Sequence, residues 1–260
     1  MELVLISLVA LLASGLTLFS GFGLGTILMP VFALFFPLPL AISATAVVHL
    51  ATNLFKCALM AKHVHWGVAG RFALPAALAA VAGAGVLGVM DRMPVLWHYS
   101  LGQMALEVTP VKALIGIVII VFALLELSPR FQSKTFSPKW LPFGGLLSGF
   151  FGGLSGNQGA LRSAFLLKAG LSKESFVATG VISAMAVDVV RLFVYGTVVL
   201  TDYFAHSQVL LTPITVASFS AFAGAFFGKK LLHKVTLRVV QLVVAGGMLI
   251  IGFGLLAGVV

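Results

Sequence analysis

Apolar segments of bilayer-crossing length recur from one end of this chain to the other, a pattern that soluble folds do not carry. They run over about 4–19, 26–36, 40–61, 72–90 and 110–127, then 142–153, 159–170, 174–200, 210–228 and 239–257. The long ones exceed the length of barrel strands and alternate too weakly for them, so an all-α polytopic integral membrane protein is expected. With 60% of residues hydrophobic and 9% charged, no polar block is long enough to fold as a separate soluble domain. The stretch 91–109 reads as irregular. Residues 1–20 do not resemble a cleaved signal peptide: Glu2 stands where a basic region belongs, and no small-x-small cleavage site is followed by a soluble chain.

Two glycine-rich breaks divide the pattern. The first is Ser20-Gly21-Phe22-Gly23-Leu24-Gly25-Thr26, and the second is Leu154-Ser155-Gly156-Asn157-Gln158-Gly159-Ala160-Leu161-Arg162. Gly25 and Gly159 lie 134 positions apart. The same offset carries Ala44-Thr45 onto Ala178-Thr179 and places Lys56 one position before Arg191. At a slightly larger offset, Ala82-Gly83-Ala84-Gly85 resembles Ala223-Gly224-Ala225-Phe226. The chain is therefore read as a first membrane repeat over 1–128, a linker over 129–141 and a second repeat over 142–260. Each repeat opens with two short helices around its break, as in transporters built from interrupted helices.

Charge placement sets the expected orientation. The formal net charge of +9 would point to nucleic acid in a soluble protein, but here the basic residues gather in short loops, and no nucleic-acid partner is expected. The segments 62–71, 128–140 and 229–238 carry two, three and four Lys or Arg, and 91–109 and 201–209 carry one and none. The first group is placed in the cytoplasm and both termini outside. The helix over 40–61 then runs inward and its mate over 174–200 runs outward, so the repeats are inverted. Each opening pair is either two tilted crossings or one re-entrant hairpin.

Within this frame a few polar residues stand out. Arg162 sits in the short helix that starts at the second break. Burying it in hydrocarbon costs about 2.5–3.5 kcal/mol on insertion scales, which calls for a compensating partner. Ser155, Gly156, Asn157, Gln158 and Gly159 lie beside it, and the amides of a helix N-terminus add a partial positive charge, so together they read as an anion site. The alternative is that Arg162 snorkels to the cytoplasmic surface beside Lys168. Asp188 and Arg191, three apart on one helix, form either a structural ion pair or part of substrate or proton coupling.

Lys56, Asn53, His49 and Thr45 share one face of the helix over 40–61, and such a stripe should face protein or a water-filled path. His49 is either a proton shuttle or a histidine hydrogen-bonded within the bundle. Thr26, Thr179 and Ser183 are expected to satisfy local backbone groups. His63 and His65 form an H-x-H in a basic loop, expected to be solvated; with the lone Cys57 they make no metal site, and no cofactor is expected.

Gly21-Phe22-Gly23-Leu24-Gly25 followed by Pro30, the long helix with Ala44-Thr45, and Gly152-Gly153-Leu154-Ser155-Gly156 ahead of a second long helix together resemble the TauE/SafE sulfite exporter family over essentially the whole chain. The motifs are loose, and their order and repetition carry the likeness. Leu24 interrupts the glycines of the first break. The resemblance implies an inner-membrane permease for sulfite, sulfonates such as sulfoacetate, or related small sulfur-containing anions. No enzyme activity and no G-x-x-x-x-G-K-[ST] ATPase motif are expected. Gly23, Gly25 and Thr26 of the first break would meet the second near the midplane, and one half would rock against the other in the lipid bilayer. An interior-negative potential would expel anions at about 2.3 kcal/mol per charge per 100 mV. The alternatives are an anion channel with the same site and a membrane-embedded metal-dependent enzyme using His49, His63 and His65. No oligomeric state follows from the sequence.

Overall fold

The computed structural model describes residues 2–20, 23–102, 104–199, 207–231 and 237–260. The first half contains α1 (Glu2–Ser20), α2 (Leu24–Ala33), α3 (Leu38–Met60), α4 (Trp66–Asp91) and α5 (Pro110–Leu127). A short turn, α6 (Pro129–Gln132), leads to α7 (Leu141–Ser155), α8 (Gly159–Leu166), α9 (Lys173–Val194), α10 (Ser207–Leu231) and α11 (Leu237–Leu256). Five stretches among the described residues are long and apolar enough to cross a membrane: Leu38–His63, Trp66–Asp91, Pro110–Leu127, Lys173–Thr197 and Leu210–Phe227. Leu74, Leu78 and Val81 of α4 point outward in one stripe, with Phe193 and Ile250 equally exposed on α9 and α11. Such an apolar exterior belongs in lipid.

The segment expected to be irregular is not. Trp97–Leu101 and Met104–Val108 pair as an antiparallel hairpin, with Trp97 opposite Val108 and Leu101 opposite Met104. Trp97, Tyr99 and Leu101 alternate with His98 and Ser100, a period-two signal reinforced by aromatic residues of high strand propensity. Gly102, at φ +65, sits at the turn. The helix expected over 174–200 also differs, because α9 leaves α-helical geometry at Val194 and continues as a π-helical turn over Tyr195–Val199. Gly196 and three β-branched residues, Thr197, Val198 and Val199, favour neither a strong α-helical end nor its continuation.

The packing crosses between halves. α4 lies along α7, and α1 lies along α10, while α3 packs on α9 and α5 on α11. Glycines set the closeness of these contacts. A Cβ at Gly83 of α4 would collide with the Phe150 carbonyl oxygen of α7, and one at Gly224 of α10 would collide with the Leu11 carbonyl oxygen of α1. On α7, Gly145, Gly149 and Gly153 stand in the same way against the carbonyls of Phe72, Ala76 and Ala80. Between α5 and α11 the contact is reciprocal: a Cβ at Gly116 would lie 2.8 Å from the Gly252 oxygen, and one at Gly252 would lie 3.2 Å from the Gly116 oxygen.

His63 and His65 are exposed, as expected of a solvated loop, and His65 also caps α4, its Nδ1 accepting from the Val68 N–H at 3.2 Å. One expectation is corrected. Thr179 does not serve its own helix, because its hydroxyl accepts from the His65 N–H at 3.1 Å across the bundle. Thr26 and Ser183 do bond locally, to the carbonyls of Gly23 at 3.0 Å and Thr179 at 2.8 Å. The side chains of Lys229, Lys230 and Arg238, with Lys234, Gly21, Phe22 and 201–206, lie outside the described residues.

Candidate functional site

Both breaks are built by residues in left-handed backbone geometry, which only glycine adopts without strain. Gly23, at φ +120, precedes α2, and Gly156, at φ +82, closes α7 with its N–H on the Gly152 oxygen at 3.0 Å. Beyond Gly156 the chain turns at once into α8, and the Ser148 hydroxyl donates to the Gln158 oxygen at 3.0 Å, tying the turn back to α7. Ser155 is buried and donates to the Phe151 oxygen at 3.1 Å while accepting from Asn157 Nδ2 at 3.2 Å. Asn157 is 1% exposed, yet its Oδ1 has no hydrogen-bond partner among the described residues.

The two breaks touch. A Cβ at Gly25 would lie 3.5 Å from the Gly156 carbonyl oxygen and 3.9 Å from His49 Cδ2. Both distances are ordinary van der Waals contact, so the two backbones and the imidazole pack directly on one another.

Behind this junction stands Asp188, fully buried in the middle of α9. Its Oδ1 accepts from Arg191 Nε at 3.0 Å, Arg191 Nη2 at 2.8 Å and Gln158 Nε2 at 3.4 Å. Its Oδ2 faces His49 Nδ1 at 2.6 Å and accepts from Asn53 Nδ2 at 3.4 Å. One carboxylate thus joins α3, α9 and the second break. Arg191 also donates from Nη1 to the Gly152 oxygen at 3.3 Å, and the Tyr195 hydroxyl donates to the Gly153 oxygen. These two side chains satisfy carbonyls in the last turn of α7, where a cation is favoured by the helix dipole.

Arg162 is 4% exposed, which excludes the surface position beside Lys168, itself on the exterior. Its Nε would lie 3.5 Å from a Cβ at Gly180, so the guanidinium lies over α9 where that helix has no side chain. It interacts electrostatically with Asp188, His49 and Lys56. Lys56 is buried too, as are Thr45, His49 and Asn53 on the same stripe of α3. The Asp188 carboxylate is matched by Arg191, and Arg162 and Lys56 bring two further positive charges into the same buried cluster. Glu126, the other buried carboxylate among the described residues, lies on α5.

Asn53, His49, Gln158, Asp188 and Arg191 are thus brought together in one buried hydrogen-bonded cluster, with Arg162 interacting electrostatically with it. Gly159 starts α8, and Thr26 lies in the first turn of α2. Tyr195, Ser148 and Gly180 were not anticipated. Tyr195 follows Arg191 by four positions and Asp188 by seven, so its place on their stripe was readable. Ser148 and Gly180 carry no such signal. Among the described residues no group of three His, Cys, Asp or Glu side chains is placed to hold a metal ion.

The sequence profile described as Sulfite exporter TauE/SafE matches residues 6–255. The chain belongs to the TauE/SafE family. It is accordingly a membrane transporter, not an enzyme, and its multi-pass helices are those of a TauE/SafE protein. No curated protein and no solved structure matches it.

Proposed function

We propose that this TauE/SafE protein is a secondary transporter that exports small sulfur-containing anions, sulfite or sulfonates such as sulfoacetate, across the cytoplasmic membrane. The observation that carries this reading is the gathering of the buried cations Arg162, Lys56 and Arg191 at the junction of the breaks, where they would attract an entering anion. Arg162 and Lys56 supply the charge. Ser155, Asn157, Gln158 and the amides at Gly156 and Gly159 supply polar contacts, and Gly23, Gly25 and Thr26 close the first-break side. Arginine suits planar or tetrahedral oxyanions through paired N–H donors.

Two inverted repeats, 1–128 and 142–260 joined by 129–141, explain why the contacts come in exchanged pairs. α1 on α10 mirrors α7 on α4, and the α3–α9 and α5–α11 contacts each map onto themselves. Gly83 and Gly224, matched in sequence, play the same part in the two cross-half contacts. The charge distribution over the loops supports an arrangement with both termini outside. Because the halves interlock through glycine-to-carbonyl contacts, the bodies that rock are mixed pairs, α4 with α7 and α1 with α10, rather than one half against the other. The junction between α3 and α9 lies between those bodies, as alternating access requires.

Proteoliposomes test the mechanism. Labelled sulfite should enter with saturable kinetics, and unlabelled sulfite on the opposite side should accelerate it. Flux that rises linearly with concentration and shows no acceleration would mean an anion channel.

A further inference from the structure

The anion-site reading leaves His49 without a role, although its geometry is specific. Nδ1 stands 2.6 Å from Asp188 Oδ2, a distance at which an unprotonated nitrogen and a carboxylate, both acceptors, would repel. The hydrogen bond therefore assigns the hydrogen to Nδ1, and Asn53 Nδ2, 3.2 Å from the same nitrogen, donates to Asp188 Oδ2 instead. The opposite edge of the ring faces the junction of the breaks, since Cδ2 lies 3.9 Å from a Cβ at Gly25. Nε2 adjoins Cδ2 on that edge, and nothing among the described residues bonds to it. One ring nitrogen is thus fixed by a buried carboxylate, and the other is turned toward the place where the anion is proposed to sit.

Imidazole gains and loses a proton near neutrality, and the orientation set by Nδ1 makes Nε2 the nitrogen that does so. The charged groups around it are Asp188 and Arg191 on α9, Arg162 on α8, and Lys56 on its own helix. α2 has no titratable residue, and those of α10, Lys229 and Lys230, have side chains outside the described residues. Lys62 and His63 lie beyond the far end of α3. An anion arriving beside the ring brings a negative charge that favours the imidazolium.

We infer that His49 Nε2 is the proton-binding site of the transporter, so that the anion binds and crosses together with one proton. This rests on the anion-site reading above. The proton taken up at Nε2 forms an N–H that donates to an anion oxygen; release of the anion removes that acceptor and the counter-charge, and the proton leaves to water on the same side. A sulfonate monoanion then moves without net charge. A sulfite dianion still carries one negative charge outward with the membrane potential.

The test is titration of purified protein with sulfate and with methanesulfonate, anions whose own charge is constant from mildly acidic to mildly alkaline solution. Calorimetry in two buffers of different ionisation heat counts the protons taken up. In wild type, affinity should fall by up to about tenfold per pH unit as pH rises through neutrality, with up to one proton taken up per anion. In His49→Gln, binding should be weaker, independent of pH, and without proton uptake. If neither anion binds, sulfite is titrated in the same way, with His49→Gln as reference for the anion's own protonation. Wild-type binding that is independent of pH overturns the inference, and this arm needs no variant to fold. Proton uptake that persists in His49→Gln overturns the assignment to His49. If no anion binds, the anion-site reading fails and the proton site falls with it.

Discussion

Asp188→Ala is expected to destabilise the protein by about 3–5 kcal/mol, the cost of breaking a buried charge pair from one side. Asp188 accepts from Arg191, Gln158, His49 and Asn53, and all four donors are buried. Its removal leaves Arg191, 1% exposed, without the carboxylate that accepts from its Nε and Nη2. Arg191 would still hold the Gly152 carbonyl, but without the partner that fixes its guanidinium. The thermal midpoint in detergent should drop sharply. The double variant Asp188→Ala/Arg191→Met should recover part of the loss, because the charge left behind is also removed. A single variant as stable as wild type would mean that water reaches the pair.

Gly83→Leu and Gly224→Leu should be the other severe changes. At each, the first atom of the new side chain meets a backbone carbonyl of the facing helix, Phe150 in α7 or Leu11 in α1. A backbone cannot turn aside as a side chain can, so the helices must separate along their length. Overpacking costs about 1–3 kcal/mol where neighbours yield, and the loss here should exceed that range. Both variants should lose folded protein in detergent to a similar degree, while Gly85→Leu, next to open space, should be tolerated. A severe effect at Gly83 with none at Gly224 would speak against equivalent roles in the two halves.

What could be read from the chain beforehand followed from local rules. Thr109-Pro110 marks the start of α5 because threonine caps and proline suits the first helical turn, and the span was read to its last residue. Asp188 and Arg191 pair because three positions on a helix bring side chains together. The glycine breaks were legible as interruptions of apolar sequence. What escaped depends on contacts between distant segments. No spacing rule brings His49 to Asp188, 139 positions away, or Thr179 to the His65 N–H. The hairpin over 97–108 was hidden because only five residues on each side carry its alternation. Arg162 had two readings, snorkelling or burial, and only the packing of distant segments around it decides between them.

The most direct measurement is anion binding by purified protein, with sulfite, sulfoacetate, sulfate and chloride titrated against wild type and Arg162→Ala. One sulfur oxyanion should bind wild type well ahead of chloride, and a folded Arg162→Ala protein should lose that binding, since the guanidinium is a charge-assisted donor in a buried site. Equal binding by the variant, or no binding of any of the four by wild type, would contradict the anion site at the junction of the two breaks.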